Sequence, residues 1–156
     1  MPDAPLRDAL LEKMREQFER TTHLIALVPA DRQDWAPTPG AWTTEQLIRH
    51  LLDCIAGFCA VLVAAEPECL AHFAKLREQP AAMGNYRAHI EEGFSLLSDS
   101  DLARRVPTVF VARGETVLTL LLGNLEHLIN HKHQLFSYLQ QMGVPVATPD
   151  LYHFRS

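Results

Sequence analysis

The chain lacks the basic excess that a polyanion binder needs: 14 Lys and Arg stand against 19 Asp and Glu, for a formal net charge of -5 and a pI near 5.9. Nucleic-acid affinity rests on clustered Lys and Arg that neutralise phosphates, so neither DNA nor RNA is an expected partner. Cysteines are few. Cys54, Cys59 and Cys69 are an odd number with no C-x-x-C pair, which suits free thiols in a reducing cytoplasm. There is no G-x-S-x-G elbow, Walker loop or dinucleotide fingerprint, so serine hydrolase, NTPase and Rossmann readings have no support. The N-terminal Met-Pro-Asp-Ala-Pro-Leu-Arg-Asp carries charge where a signal peptide needs an apolar core, and no export is expected. The uncharged apolar run Cys54–Ala65 falls well short of the roughly 18 residues that suggest a membrane span. It reads as part of a buried core helix, and no membrane partner is expected.

With 156 residues the chain is long enough to bury a core without disulfides or a structural metal, and a single domain over residues 1–156 is expected. A composition of 47% hydrophobic and 21% charged residues excludes a disordered chain. Leu10, Leu11, Met14, Phe18, Thr21, Ile25 and Val28 recur at intervals of three and four, the stripe of a first amphipathic helix that Pro29 closes. Pro37, Pro39 and Gly40 make Ala30–Trp42 a loop holding two tryptophans. Thr43 with Gln46 three residues on forms a capping-box signature, and Trp42 with Leu47 a hydrophobic staple. A second helix therefore starts there and runs to about Glu66 before Pro67, with a short extra helix possible over Glu68–Glu78. The seam Met83, Tyr86, Ile90, Phe94 and Leu97 marks a third helix, over about Ala81–Leu97, ending before Ser98-Asp-Ser-Asp. Val106–Ala112 is β-rich but has no evident partner and reads as an extended connector. The last long helix spans about Glu115–Met142, with Gly143 and Pro145 as stop signals. Four long helices and no sheet imply an all-α four-helix bundle.

His127 and His131 lie one helical turn apart in that last helix, so both imidazoles share one face and can share a metal if a third ligand arrives from elsewhere. His50 is the candidate, on the core-facing stripe of the second helix with Leu47, Leu51 and Cys54. Three neutral imidazoles and an open position for water make a usual catalytic zinc site. Leu120, Asn124, His127, His131, Gln134 and Tyr138 form one largely polar face on a helix otherwise dense in leucine. Each unpaired polar group on a dry face costs about 1 to 3 kcal/mol, so the stripe either lines a wet cavity or binds something.

Other readings stand beside this one. Eight histidines make one pair at this spacing obtainable by chance, and a histidine on a helix is usually a surface residue or a satisfied core one. His133 lies off the shared face, while His23, His72, His89 and His153 show no partner pattern. His-Leu-Ile-Asn-His lacks the glutamate that a zinc peptidase uses as base, which rejects that class. Cys54 is either a fourth ligand or a small core residue, and the frequent burial of free cysteine favours the core. Asp53 either orients an imidazole from outside the ligand set or solvates the helix.

The chain resembles the DinB-like (DinB/YfiT) superfamily of metal-dependent enzymes, which includes bacillithiol- and mycothiol-dependent transferases and the mycothiol-dependent maleylpyruvate isomerase. The similarity is carried by Trp35–His50 with Asp53 following, by Leu102 after the acidic Ser98-Asp-Ser-Asp, and by His127–Pro145. One family histidine comes from the second helix and two from the last, which the resemblance places at His50, His127 and His131. The family's common Arg-Gly-Gln-Leu after the last ligand is Lys132-His133-Gln134-Leu135 here, so His133 replaces a glycine at the rim. The resemblance implies an up-down-down-up bundle, a divalent metal, zinc or nickel first, a low-molecular-weight thiol as a further cofactor, and a homodimer. The expected function is that of a cytoplasmic metal-dependent enzyme acting on a small molecule, a thiol S-transferase or hydrolase. The alternative is a non-catalytic metal-binding or dimeric interaction protein. Asn124, Gln134 and Tyr138 are candidates for orienting substrate or ligands.

Overall fold

The structure is a computed structural model and describes residues 4–66, 83–107 and 113–152. It contains helices α1 (Pro5–Ala26), α2 (Thr44–Ala65), α3 (Met83–Ser95), α4 (Asp99–Ala103), α5 (Val117–Gln141) and α6 (Thr148–Leu151). Two-residue strands β1 (Arg105–Val106) and β2 (Glu115–Thr116) pair antiparallel before α5. The four longer helices pack mutually: α2 lies against α5 and α3, and α1 against the same two.

The stripes read for α1, α2 and α3 mark the faces turned to the core, with Leu11, Ile25, Val28 and Tyr86 half-buried at their margins. Helix α1 buries Leu10, Met14, Phe18, Thr21 and Leu24, and adds Gln17 to that face. Helix α2 buries Leu47, Leu51, Ile55, Phe58 and Leu62 completely or nearly so. Helix α5 contributes Val117, Leu121, Leu128, Leu135 and Leu139, all fully buried, and each large apolar side chain removed from water stabilises the fold by about 1.5 to 3 kcal/mol. Among the described residues α2 alone has the length and apolarity of a membrane span, but its apolar side chains fill this core.

Local signals set the helix ends. Thr43 and Gln46 form the capping box that starts α2: Thr43 Oγ1 accepts the Gln46 N–H at 3.2 Å, and Gln46 Oε1 accepts the Thr43 N–H at 2.9 Å. At the end of α5, Gly143 has φ +82°; its N–H reaches the Gln140 carbonyl, and the Val144 N–H reaches that of Leu139. These two bonds make a Schellman motif, which needs the left-handed residue that glycine supplies.

Three features depart from the sequence reading. The first residue of the β-rich connector has a partner, since Val106 pairs with Glu115 and the preceding Arg105 with Thr116, while residues 108–112 of the connector lie outside the described residues. Helix α5 consequently begins at Val117, with Thr116 as its N-cap, two residues later than the periodicity suggests. The polar Ser98-Asp-Ser-Asp is a helix start as well as a stop, because Ser98 and Asp101 form a second capping box for α4. Asp99 then reaches across the chain and accepts the backbone N–H groups of Leu6 at 3.2 Å and Arg7 at 2.9 Å, satisfying donors at the α1 N-terminus that no local residue caps. The short helix considered over Glu68–Glu78 lies outside the described residues, as do Cys69, His72 and His153.

Candidate metal centre

Helix α2 carries His50 and, one turn later, Cys54; the facing helix α5 carries His127 and, one turn later, His131. The contact between these helices is close at Gly57, where a Cβ would lie 2.8 Å from Asn124 Oδ1. The result is a group of four donors, His50, Cys54, His127 and His131, whose ligating atoms all lie within 4.8 Å of one another. His50 Nε2 and His127 Nε2 are 3.1 Å apart. The His50 and His131 rings pack edge to face with centroids 4.4 Å apart, and the His127 and His131 centroids are 4.8 Å apart. Cys54 is buried at 5% exposure, His50 and His131 are half-buried and His127 is exposed, so the group has a closed floor and an open mouth.

The surrounding residues set ring orientation and protonation. His131 Nδ1 lies 2.9 Å from Gln134 Oε1, so it carries the proton and leaves the Nε2 lone pair free. Gln134 Nε2 in turn approaches Tyr138 Oη at 3.4 Å, and that hydroxyl donates to the Trp42 carbonyl at 3.0 Å. The two-tryptophan loop is tied down at its other side, where the Trp35 carbonyl accepts both the N–H and the hydroxyl of Thr44. Its Trp42 ring covers the centre, 4.7 Å from the His50 ring and stacked 5.6 Å from that of His131. Burial, followed by the neighbouring imidazoles of His131 and His127, holds His50 below the ordinary histidine pKa. It is therefore neutral near pH 7, as a metal ligand must be. Burial first and the charge of Asp53 second push the Cys54 thiol up to about 11.

This donor set fits a borderline divalent metal: three imidazoles and a thiol, with no carboxylate in the group. At 3.1 Å the His50 and His127 Nε2 atoms share either a proton, as an N–H···N hydrogen bond, or a cation, and only a cation would engage His131 as well. The structure thus brings together His50, His127 and His131, the three histidines singled out from the sequence, and places Cys54 both in the hydrophobic core and within the same donor group. The signal for Cys54 was present as an i, i+4 partner of His50 matching the His127/His131 spacing. Gln134 touches a member of the group and Tyr138 acts one step further out, whereas Asn124 packs against Gly57 of α2. Asp53 is exposed, and His133 is exposed beside Phe136. His23, for which the sequence offered no partner, pairs with Asp150 at 2.7 Å. Trp42 at the mouth was read only as a staple; nothing local in the sequence announces that its ring lies on two imidazoles.

Fold and donor set together define an all-α protein carrying a His/Cys group able to hold a metal ion. The chain belongs to the DinB superfamily, whose family model matches residues 11–135. Two solved structures share the fold. One is a DinB-like protein, YjoA, from Bacillus subtilis, 20% identical over 94% of this chain and 96% of that one, with a TM-score of 0.70. The other is a protein assigned to the DinB family from Exiguobacterium sibiricum, 21% identical over 96% of this chain and 99% of that one, with a TM-score of 0.61. No curated protein matches the chain.

Proposed function

We propose that the protein is a divalent-metal-dependent enzyme in which His50, His127 and His131 hold the ion, and that it transfers a low-molecular-weight thiol to a small electrophilic substrate. The observation that carries this reading is the convergence of the three imidazoles, with His50 and His127 Nε2 at 3.1 Å and the ligating atoms of the group within 4.8 Å. A bound zinc or nickel ion supplies a Lewis acid that lowers the pKa of a thiol or water and makes it nucleophilic near neutral pH. The chain's own residues do the rest. Gln134 keeps the His131 proton on Nδ1, the exposed edge at His127 admits small molecules, and the Trp42 ring offers an apolar face beside that opening. Acidic net charge and the absence of a C-x-x-C pair support work on a small molecule in a reducing cytoplasm. A single domain over residues 1–156 acting as a homodimer completes the reading, by likeness to the family.

The test is consumption of a low-molecular-weight thiol in the presence of an electrophilic acceptor, with zinc-loaded, nickel-loaded and chelator-treated protein, and with His131→Ala alongside. Turnover in a loaded wild type that chelation and His131→Ala both abolish supports the enzyme. Equal thiol consumption in all four samples leaves a non-catalytic metal-binding protein in its place.

A further inference from the structure

We infer that Cys54 is a fourth protein donor to the ion, so that this chain holds its metal with two facing pairs, His50/Cys54 from α2 and His127/His131 from α5. The inference rests on the metal reading above and adds a ligand to it. Both pairs have the i, i+4 spacing that stacks two side chains on one helix face. Cys54 Sγ belongs to the same group of atoms within 4.8 Å of one another as the three imidazole nitrogens. Cys59, five residues further along α2 and equally buried, does not join the group, so burial on this helix is not by itself what brings a thiol to the histidines.

The distances are compatible. Zinc bonds of about 2.0–2.1 Å to nitrogen and 2.3 Å to sulfur place neighbouring donors of a tetrahedral set roughly 3.3–3.6 Å apart. One pair already stands at 3.1 Å and none exceeds 4.8 Å, so side-chain adjustments of about an ångström close the set without backbone movement. The chemistry then sorts metals. A thiolate favours zinc and other thiophilic ions over the oxygen-seeking magnesium and manganese. Cys54 lies at the buried floor and His127 at the exposed mouth, so with four protein donors in place an incoming group reaches the ion as a fifth ligand from the solvent side, an expansion that zinc accepts.

Cobalt(II) added to the metal-free full chain reads this directly, because a cobalt–thiolate bond produces a near-ultraviolet charge-transfer band that imidazole ligation does not. The expected result is one cobalt per chain with that band in the wild type and in Cys59→Ser, and loss of the band in Cys54→Ser with cobalt still bound at lower affinity. Circular dichroism of metal-free Cys54→Ser establishes that the variant is folded, and Cys54→Ala repeats the loss of the band in a side chain better suited to burial. Cobalt bound at one per chain without the band, or a band that survives Cys54→Ser, overturns the sulfur ligand and leaves the three-histidine site standing. Failure of the wild type to bind cobalt, zinc or nickel overturns the metal reading and this inference with it.

Discussion

His131 and Lys132 are consecutive on α5, yet they serve two regions that handle buried basic groups in opposite ways. Lys132 points toward α1, is 1% exposed, and has its ammonium matched by acceptors: Gln17 Oε1 at 2.7 Å, the Leu151 carbonyl at 2.8 Å and the face of the Tyr152 ring at 5.4 Å. Its ammonium meets acceptors from both neighbouring helices, so the lysine ties α6 and α1 to the bundle. His131 points toward α2 into a group of further bases, His50 and His127, and a thiol, with no acid among them. Within the protein the His50 and His127 rings share one N–H···N hydrogen bond, and a cation placed among the donors would engage all of them at once. The contrast separates a polar contact that completes the fold from a donor group able to hold a cation.

Substitutions on the two sides should therefore have separable effects. His131→Ala is expected to abolish metal retention, taking content from about one ion per chain to near zero, while the melting temperature of the metal-free protein moves little; metal analysis beside thermal denaturation checks both. On the other side, burial first and then the charges of Lys13 and Arg20 lower the Lys132 pKa to about 8 from its ordinary 10.5. Below about pH 8 folded and unfolded chains both hold the proton; between about 8 and 10.5 the unfolded chain binds more, so stability rises with pH across that window. The gain is at most about 3 kcal/mol. Denaturant titrations from pH 7 to 10.5 should show the rise in the wild type and its absence in Lys132→Met, with metal content unchanged in the variant. A Lys132→Met chain that lost its metal would break the separation between the two regions.

Gln134→Ala sharpens the comparison, because it leaves all three imidazoles in place and removes only the acceptor that fixes the His131 tautomer. A loss of about 10- to 100-fold in zinc affinity is expected by competition with a chromophoric chelator. The smallest effect belongs to Thr43→Ala, which removes one half of the α2 capping box beside the centre. It should cost about 1 kcal/mol of stability in denaturant titration and leave the number of bound ions as it was.

Much of this arrangement is legible in the chain because the signals are local. The capping box at Thr43, the stop at Gly143 and the apolar seams of α1, α2 and α3 depend on residues three to five apart, and the caps lie where their chemistry puts them. The convergence of His50 with the His127/His131 pair was legible only as a shared orientation toward the core, and its geometry comes from α2 packing on α5. What escaped the sequence is non-local. Asp99 caps a helix more than 90 residues away, Lys132 finds Gln17 across the bundle, and Trp42 lies on two histidines from different helices. Val106 finds its strand partner in Glu115, which the apolar pattern reads as the opening of a helix. Gly114 permits that pairing: its φ is +70° and a Cβ there would sit 2.5 Å from the Val106 carbonyl oxygen. Cys54 lies in the core as its residue type suggests, and the same burial also places it beside the three imidazoles.

The central claim, that the imidazole cluster is a metal centre, is tested most directly by metal content from plasma mass spectrometry on untagged protein, wild type beside His127→Ala. His127 is exposed, so its removal should change metal-free stability by no more than about 0.5 kcal/mol and leave a folded chain to compare. The account predicts about one divalent ion per wild-type chain and almost none in the variant. A wild type that stays metal-free after incubation with zinc and with nickel, or a variant that holds as much metal as the wild type, would contradict it.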